Sequence, residues 1–216
     1  MRRSPPRLVC CGAGRTWKVT TADPLGAEGL AVEPKLAGRH VVLRPVGFSD
    51  YEFLYLLSVT GSNLWRWRHR GETPSPELFR QVLHAGVLCQ FVILRASDSE
   101  PVGLVLAYNP DIRNRHCYMA ICLLPTVHHQ SWPMESIGLF LDYVFGVWDF
   151  RKVYVESPEF NAEQFVNGAR RWMTEEGRLR EHWYHSGRWW DFITWALTRD
   201  QWMESRMGNY GYLSET

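Results

Sequence analysis

The chain has 216 residues, of which 45% are hydrophobic, 22% are charged and eleven are tryptophan, and its formal net charge is +1. This length and composition suit one well-buried soluble domain and are rather short for two. No apolar run approaches the roughly 20 residues of a membrane span, so we expect no membrane partner.

The charge is distributed unevenly along the chain. Residues 1–18 hold five basic residues and no acidic one, so the rest of the chain is mildly acidic. The basic residues are Arg2, Arg3, Arg7, Arg15 and Lys18. Nucleic-acid-binding proteins carry a basic face, and a mildly acidic body therefore argues against a nucleic-acid partner.

Cysteine usage predicts a reducing compartment, and we expect a cytoplasmic protein. The cysteines are odd in number and none has CxxC spacing, which favours neither a disulfide framework nor a zinc site. They are Cys10, Cys11, Cys89, Cys117 and Cys122. The pair His128 and His129 lacks a carboxylate at ligand spacing, so we expect no metal.

The chain begins with a predicted flexible arm. Residues 1–35 are basic and rich in Pro, Gly, Arg and Ala without a sustained period, which is typical of an unfolded segment. We expect one folded domain over residues 36–204 and a C-terminal tail over residues 205–216. Residues 38–45 open the domain as a β-rich run that ends at a proline.

Two short helices are predicted next. The pair Ser49-Asp50 is placed to supply the N-cap of a helix over residues 51–58, whose apolar side chains fall on one face. Ser75 followed by Pro76 is typical of a helix start, with proline at the first helical position.

The rest of the chain predicts a sheet that contains one βαβ unit. The apolar positions after residue 132 have helical spacing and are followed by a short strand, so a parallel strand pair encloses this helix. The predicted strands cover residues 90–95, 102–108, 116–124, 152–156, 180–184 and 191–197. A turn is predicted at residues 109–111, and helices at 132–148 and, more weakly, 161–173.

This order of elements, with three strings, resembles the GNAT superfamily of N-acetyltransferases. The strings are GRHVVLRP at residues 38–45, PTVHHQSWPME at residues 125–135, and EGRLRE, GR and Asp191 within residues 176–191. The resemblance covers residues 36–204 and is closest to the branch that acetylates ribosomal-protein N-termini and related small amines. It implies a single α+β (α/β) domain with a mixed, mostly antiparallel sheet, splayed between its fourth and fifth strands and flanked by helices.

The resemblance also implies a co-substrate, acetyl-CoA or another acyl-CoA, bound in that opening. Its pyrophosphate would lie on the loop before the central helix, where free N–H groups and the helix dipole attract an anion. The implied cofactor contacts are Leu123, His128, Gln130, Ser131, Trp132, Met134 and Asn161.

The predicted pyrophosphate loop departs from the family pattern. Ser131 and Pro133 stand where the family has small residues, and Pro133 has no backbone N–H to offer a phosphate. His128 and Gln130 could compensate as side-chain donors. We therefore expect a degenerate loop with fewer donors than the family norm, or a purely structural turn.

The expected catalytic residues are Tyr118, His116 and Glu156. Tyr118 aligns with a strand position that is often a glutamate in this branch, and tyrosine is a poor base because its ordinary pKa is about 10. His116, on the same strand face, and Glu156, on the next strand, are the candidate bases. Tyr118 could instead donate a proton to the carbonyl or thiolate.

A Trp-rich pocket is predicted from the segment WRWRHR at residues 65–70. In this family the corresponding loop helps to wall the acceptor pocket, so Trp65 and Trp67 are candidate substrate contacts. The alternative is a core tryptophan pair with solvated arginines between them.

Two functions follow from these residues. The first is a GNAT-type N-acyltransferase that moves an acetyl or other acyl group from acyl-CoA, or an acyl carrier, to a primary amine of a small molecule or peptide. The second is a GNAT-like fold that has lost CoA binding and either catalyses a different reaction on an amino-acid or acyl substrate or serves as a binding module. The sequence does not determine whether the protein forms an oligomer.

Overall fold

The computed structural model describes residues 36–127, 132–162 and 172–209, and within them the chain forms one eight-stranded sheet flanked by helices. The strands are β1 (Leu36–Ala37), β2 (Val41–Pro45), β3 (Val87–Arg95), β4 (Pro101–Asp111), β5 (His116–Leu123), β6 (Lys152–Pro158), β7 (Thr174–His185) and β8 (Arg188–Thr198). The helices are α1 (Tyr51–Val59), α2 (Asn63–Arg66), α3 (Pro76–Val82), α4 (Trp132–Val147), α5 (Glu159–Ala162) and α6 (Arg199–Asn209).

The strand order across the sheet is β1-β2-β3-β4-β5-β6-β8-β7. Every neighbouring pair is antiparallel except β5 and β6, which are parallel and joined through α4. The predicted single α+β domain with a mostly antiparallel mixed sheet is confirmed. The short β1 precedes the predicted first strand, so the expected fourth and fifth strands are β5 and β6 here.

The alternation of side chains along the strands builds two separate cores. On one face, odd-numbered residues of β5 such as Cys117 and Met119 pack with α4 and with Trp202 of α6. On the other face, even-numbered residues such as Cys122 pack with α1 and α3. The site described below lies on this second face.

Helix α4 is held at both ends by side chains from other elements. Near its first turn, Glu135 accepts hydrogen bonds from the His40 backbone N–H (2.9 Å) and pairs with His40 Nδ1 (2.9 Å). A Cβ at Gly38 would collide with the Glu135 carboxylate as it is placed here, so glycine leaves room for this carboxylate to reach His40. At the far end, Arg199 donates to the carbonyls of Phe145 (2.6 Å) and Trp148 (2.6 Å), and to Phe150 O just beyond.

The predicted turn at residues 109–111 is wrong in position. Strand β4 continues to Asp111 and the turn follows at residues 112–115, closed by hydrogen bonds from the Asn114 N–H and side-chain amide to the Asp111 carboxylate. Asn109 has φ of 46° where the β4–β5 register shifts. Asn tolerates this left-handed backbone, and the residues that suggested a turn form a bulge instead.

Asp50 occupies the predicted N-cap position of α1, but its side chain makes no capping hydrogen bond to that helix. Its carboxylate accepts from the Gly47 N–H (2.7 Å) and from Arg44 (2.6 Å), which closes a short 3₁₀ turn at Phe48–Asp50 before α1. The nearly buried carboxylate is satisfied by a guanidinium that the local pattern did not reveal. The predicted cap by Ser75 is confirmed, since its Oγ accepts from the Leu78 N–H at 3.3 Å.

The closing string EGRLRE…GR…D stabilises the β7–β8 hairpin. Arg178 forms ion pairs with Glu175, Glu159 and Asp191. Asp191 also accepts from the backbone N–H of Glu181, which has φ of 48° inside a bulge of β7. The most specific part of the resemblance therefore holds the hairpin together.

Two observations concern the ends of the fold. Helix α6 continues past residue 204 to Asn209, beyond the predicted end of the domain, and the division of the chain into domains stays a prediction. The weak helix predicted at residues 161–173 lies mostly outside the described residues. Across the described parts of the chain, none of the helices has the length and apolar character needed to cross a membrane.

Candidate functional site

The sheet opens between β5 and β6. The two strands pair only at His116 with Lys152, Cys117 with Val153, and Tyr118 with Tyr154. Beyond Tyr118, β5 pairs only with β4 and β6 only with β8. The remaining lengths of β5 and β6 therefore diverge, and among the residues that the structure describes no strand pairs with their facing edges.

A cluster of aromatic rings lies at the closed end of this opening. Tyr118 lies between Tyr108 of β4 and Tyr154 of β6, with ring centroids 5.6 and 5.3 Å apart. The ring of His116 meets the edge of Tyr154 at 5.4 Å. The hydroxyls of three tyrosines thus come from three adjacent strands on one face of the sheet.

Glu156 lies just beyond the last paired residues, on the same face. It accepts a hydrogen bond from Thr194 Oγ1 of β8 at 3.3 Å and is otherwise exposed. The structure therefore brings together the predicted residues Tyr118, His116 and Glu156 around the closed end. Their catalytic roles stay predictions.

The environment keeps the two half-buried tyrosines protonated. Burial, and then the negative charge of Glu156, raise the pKa of Tyr118 above its ordinary value. Burial and Glu156 raise the pKa of Tyr108 to about 12, although Arg70 and Arg68 act in the opposite direction. Near neutral pH both phenols are therefore hydrogen-bond or proton donors and not bases.

His116 lies at the edge of this group. Its Nε2 is 3.8 Å from the Asp111 carboxylate, too long for a hydrogen bond. Its Nδ1 is buried and has no hydrogen-bond partner among the described residues.

Four of the predicted cofactor contacts fall on described residues. Leu123 ends β5 with its side chain buried, and its carbonyl accepts from Asn63 Nδ2 of α2 at 3.3 Å. Trp132 and Met134 lie in the first turn of α4, and Asn161 lies in α5, directly after β6. His128, Gln130 and Ser131 lie outside the described residues.

The two predicted pocket tryptophans have different environments. Trp67 packs with the core of α1 and α3, as the alternative interpretation expected. Trp65 is 39% exposed and stacks on His185 of β7, with centroids 5.7 Å apart. The segment WRWRHR therefore contacts both the core and the β7–β8 hairpin.

Sequence reasoning missed several residues of this face. Tyr108 and Tyr154 were placed in strands but not matched to Tyr118, which a correct β4–β5 register would have revealed. Asn63 is far from the opening in sequence, so the local pattern carried no signal for it, whereas Arg68 and Arg70 belong to the predicted pocket segment WRWRHR.

The cysteines of β5 are not reactive groups of this site. Cys117 and Cys122 lie on opposite faces of the sheet, and both are buried. Burial raises the pKa of each thiol to about 12, which leaves almost no thiolate at neutral pH. Among the described residues no group of three His, Cys, Asp or Glu side chains is placed to hold a metal ion.

Comparison with known proteins establishes the fold. No protein-family model and no curated protein matches the chain. A spermidine N-acetyltransferase from Vibrio cholerae, solved with CoA and spermine, matches with a TM-score of 0.66 and 20% identity over 77% of this chain and 99% of that one. The spermidine/spermine N-acetyltransferase SpeG from the same organism, solved with manganese ions, matches with a TM-score of 0.64 and 21% identity over 77% and 96% of the two chains. The chain therefore has the fold of GNAT N-acetyltransferases.

Proposed function

We propose that this protein is an N-acyltransferase that moves an acetyl or other acyl group from acyl-CoA to a primary amine. The observation that carries the proposal is the opening between β5 and β6, with Tyr118 at the last paired position and Glu156 just beyond it. The solved structure of the same fold with CoA and spermine supports an acyl-CoA and an amine as the two substrates.

The chemistry of acyl transfer matches the groups at the opening. A neutral amine attacks the thioester carbonyl, the C–N bond forms, the C–S bond breaks, and the amine loses one proton while the thiolate gains one. Glu156 is the exposed carboxylate on the correct face to accept the proton from the amine. Tyr118, which stays protonated, donates to the oxyanion or to the leaving thiolate.

The facing edges of β5 and β6, which have no partner strand within the described residues, offer a binding site for the CoA arm. Backbone N–H and C=O groups that lack a strand partner bind an extended chain that carries amides, as an added strand would. The pantetheine arm of CoA is such a chain. Its pyrophosphate would then reach the start of α4, where a helix dipole favours an anion.

The loop before α4 distinguishes this protein within the proposed class. Pro133 follows Trp132 at the helix start and offers no N–H, so we propose a pyrophosphate site with fewer backbone donors than glycine-rich loops have. His128, Gln130 and Ser131 are the side-chain donors proposed to replace them. We also propose that the acceptor is of the kind that the ribosomal-protein branch acetylates, a protein N-terminus or a related small amine.

Isothermal titration of the full chain with acetyl-CoA and with CoA tests the proposal. We expect micromolar binding of both, and weaker binding by Asn161→Ala and by Ser131→Pro. Glu100→Ala, an exposed change in the β3–β4 turn, is the control and should bind as the wild type does. Absence of binding at millimolar ligand, or unchanged affinity in both variants, would reject acyl-CoA as the co-substrate and favour the alternative of a fold that has lost CoA binding.

A further inference from the structure

The segment at residues 65–70 meets the β7–β8 hairpin beside the proposed acceptor site. The guanidinium of Arg70 lies over the ring of Trp183 at 4.6 Å, and Trp65 stacks on His185 of the same hairpin. These contacts join parts of the chain more than a hundred residues apart in sequence, so they belong to the tertiary structure alone.

The Arg70 contact continues toward Glu156. Trp183 stacks on Phe192 with centroids 5.4 Å apart and planes only 3° from parallel. Phe192 is two residues before Thr194, the hydroxyl donor to Glu156, so both side chains project from the same face of β8. Two strand residues span about 7 Å, which places the Arg70–Trp183–Phe192 stack within the length of a small substrate from Glu156.

Arg70 is oriented but is not neutralised. It is exposed, and it forms no ion pair with a carboxylate anywhere in residues 36–127, 132–162 or 172–209. Stacking on an indole fixes the plane of a guanidinium and leaves its edge N–H groups free for a bidentate carboxylate or phosphate. Arg70 also has φ of 51°, an uncommon conformation for a residue that is not glycine.

The positive charge extends inward from Arg70. Its charge and that of Arg68 both act on Tyr108, whose ring contacts Tyr118. Arg68 is already occupied, since it donates to the Leu83 carbonyl at 2.7 Å near the end of α3. Of the two arginines that act on Tyr108, Arg70 is therefore the one whose guanidinium remains available to a substrate.

From these contacts we infer that the acceptor is an amine that carries an anion, a carboxylate or a phosphate, at its other end, and that Arg70 binds this anion. The inference rests on the proposed function, because it assigns the substrate class of the same site. Glu156 receives the ammonium end and Arg70 the anionic end, so the two charges of the site select a zwitterionic acceptor. A polyamine would place a second positive charge beside Arg70, which opposes its binding.

Three amines with the same four-carbon spacing test the inference. They are 4-aminobutyrate, butylamine and 1,4-diaminobutane, which differ only in a negative, neutral or positive distal group. Dissociation constants are measured by calorimetry with the full chain and saturating CoA, and kcat/KM with acetyl-CoA by release of the CoA thiol. We expect 4-aminobutyrate to bind at least about tenfold more tightly than 1,4-diaminobutane, since a hydrogen bond between charged groups contributes this much. A parallel titration with 3-aminopropylphosphonate distinguishes a phosphate-type anion from a carboxylate. If it binds more tightly than 4-aminobutyrate, the preferred anion is of the phosphate type, and if it binds less tightly, the preferred anion is a carboxylate.

Variants of Arg70 separate charge from geometry. Arg70→Gln should abolish the preference for 4-aminobutyrate. Arg70→Lys should retain part of this preference, because the charge stays but the bidentate geometry of the guanidinium is lost. Arg70→Glu should reverse the preference in favour of 1,4-diaminobutane. Arg80→Gln, an exposed change on α3, is the matched control and should leave the preference intact. Acetyl-CoA affinity should be unchanged in all four variants, which verifies the fold.

The outcomes separate the two proposals. If the wild type binds acetyl-CoA but binds the three amines equally, binds none of them, or binds 1,4-diaminobutane most tightly, the inference about Arg70 is wrong. The proposed function stands in each of these cases. A preference that survives Arg70→Gln also rejects the inference about Arg70. If acetyl-CoA does not bind, the proposed function fails and the inference fails with it.

Discussion

The two faces of the central sheet differ although the same strands supply both. On the α4 face, β5 and β6 contribute Cys117 and Val153 to a core in which Phe140 is fully buried. On the opposite face, the next paired residues along the same strands are Tyr118 and Tyr154, which are half exposed and lie beside Glu156. One face therefore stabilises the fold, and the other presents polar groups at the place where the sheet opens. Changes on the two faces should have separable effects on stability and on activity.

The largest expected effect is a loss of activity without a loss of stability. Glu156→Gln keeps the hydrogen bond from Thr194 but removes the proposed base, so kcat for the acceptor that the wild type uses best should fall by about 10³. Tyr118→Phe, on the opposite strand of the opening, should lower kcat for the same acceptor by about tenfold. Both are measured by release of the CoA thiol, with the unfolding free energy as control. Full activity of Glu156→Gln would show that Glu156 is not the base.

On the α4 face we expect a loss of stability without a loss of acetyl-CoA affinity. Phe140→Ala leaves a cavity in a fully buried core and should lower the unfolding free energy by about 3–5 kcal/mol, measured by urea denaturation. In the fraction that stays folded, acetyl-CoA affinity should be that of the wild type. Phe48→Ala, at a ring that is 89% exposed, is the control and should change stability by under about 1 kcal/mol.

A smaller loss is expected at the end of α4. Arg199→Met removes three hydrogen bonds from a guanidinium to the carbonyls of Phe145, Trp148 and Phe150, and should cost about 2–3 kcal/mol of unfolding free energy. Arg199→Lys keeps the charge at the helix C-terminus and should cost less. Equal losses in the two variants would mean that the hydrogen-bond geometry of the guanidinium, and not its charge, provides the stabilisation.

The smallest effect concerns alkaline stability on the polar face. The pKa of Tyr108 is raised to about 12, whereas an exposed tyrosine titrates near 10. The unfolded chain therefore loses this proton first, and Tyr108 contributes stability that is present below about pH 10 and declines between about pH 10 and 12, by at most about 1.4 kcal/mol per pH unit. Tyr108→Phe should make the decline shallower in denaturation curves across that range. An unchanged decline would assign it to other groups.

Much of the fold could be predicted because its signals are local. The spacing of apolar residues after residue 132 predicted α4 almost to its ends, and Ser75 with Pro76 predicted the start of α3. Where the local sequence pattern was misleading, a contact with another residue or an uncommon backbone conformation determined the structure. The Asp50 carboxylate binds Arg44 and makes no capping hydrogen bond to α1. Asn109 adopts a left-handed conformation inside β4 and does not begin the turn.

The candidate site could be predicted only in part. Strand periodicity placed His116 and Tyr118 on one face, and the βαβ order placed Glu156 on the neighbouring strand. The partners of Tyr118 could not be found in the same way, because Tyr108 faces it only after the bulge at Asn109 sets the β4–β5 register. Arg70 shows the limit most clearly, since its partner Trp183 comes from a hairpin at the other end of the chain.

The sequence by itself determined the order of helices and strands, the two faces of each strand and the parallel βαβ unit, because hydrophobic periodicity and helix starts are properties of neighbouring residues. Only the tertiary structure established where β5 and β6 part, which tyrosines meet there, and that Arg70 stacks on Trp183. The physical reason is that these features depend on register and on contacts between distant segments. Their energies arise only when the whole sheet and the helices on both of its faces are in place.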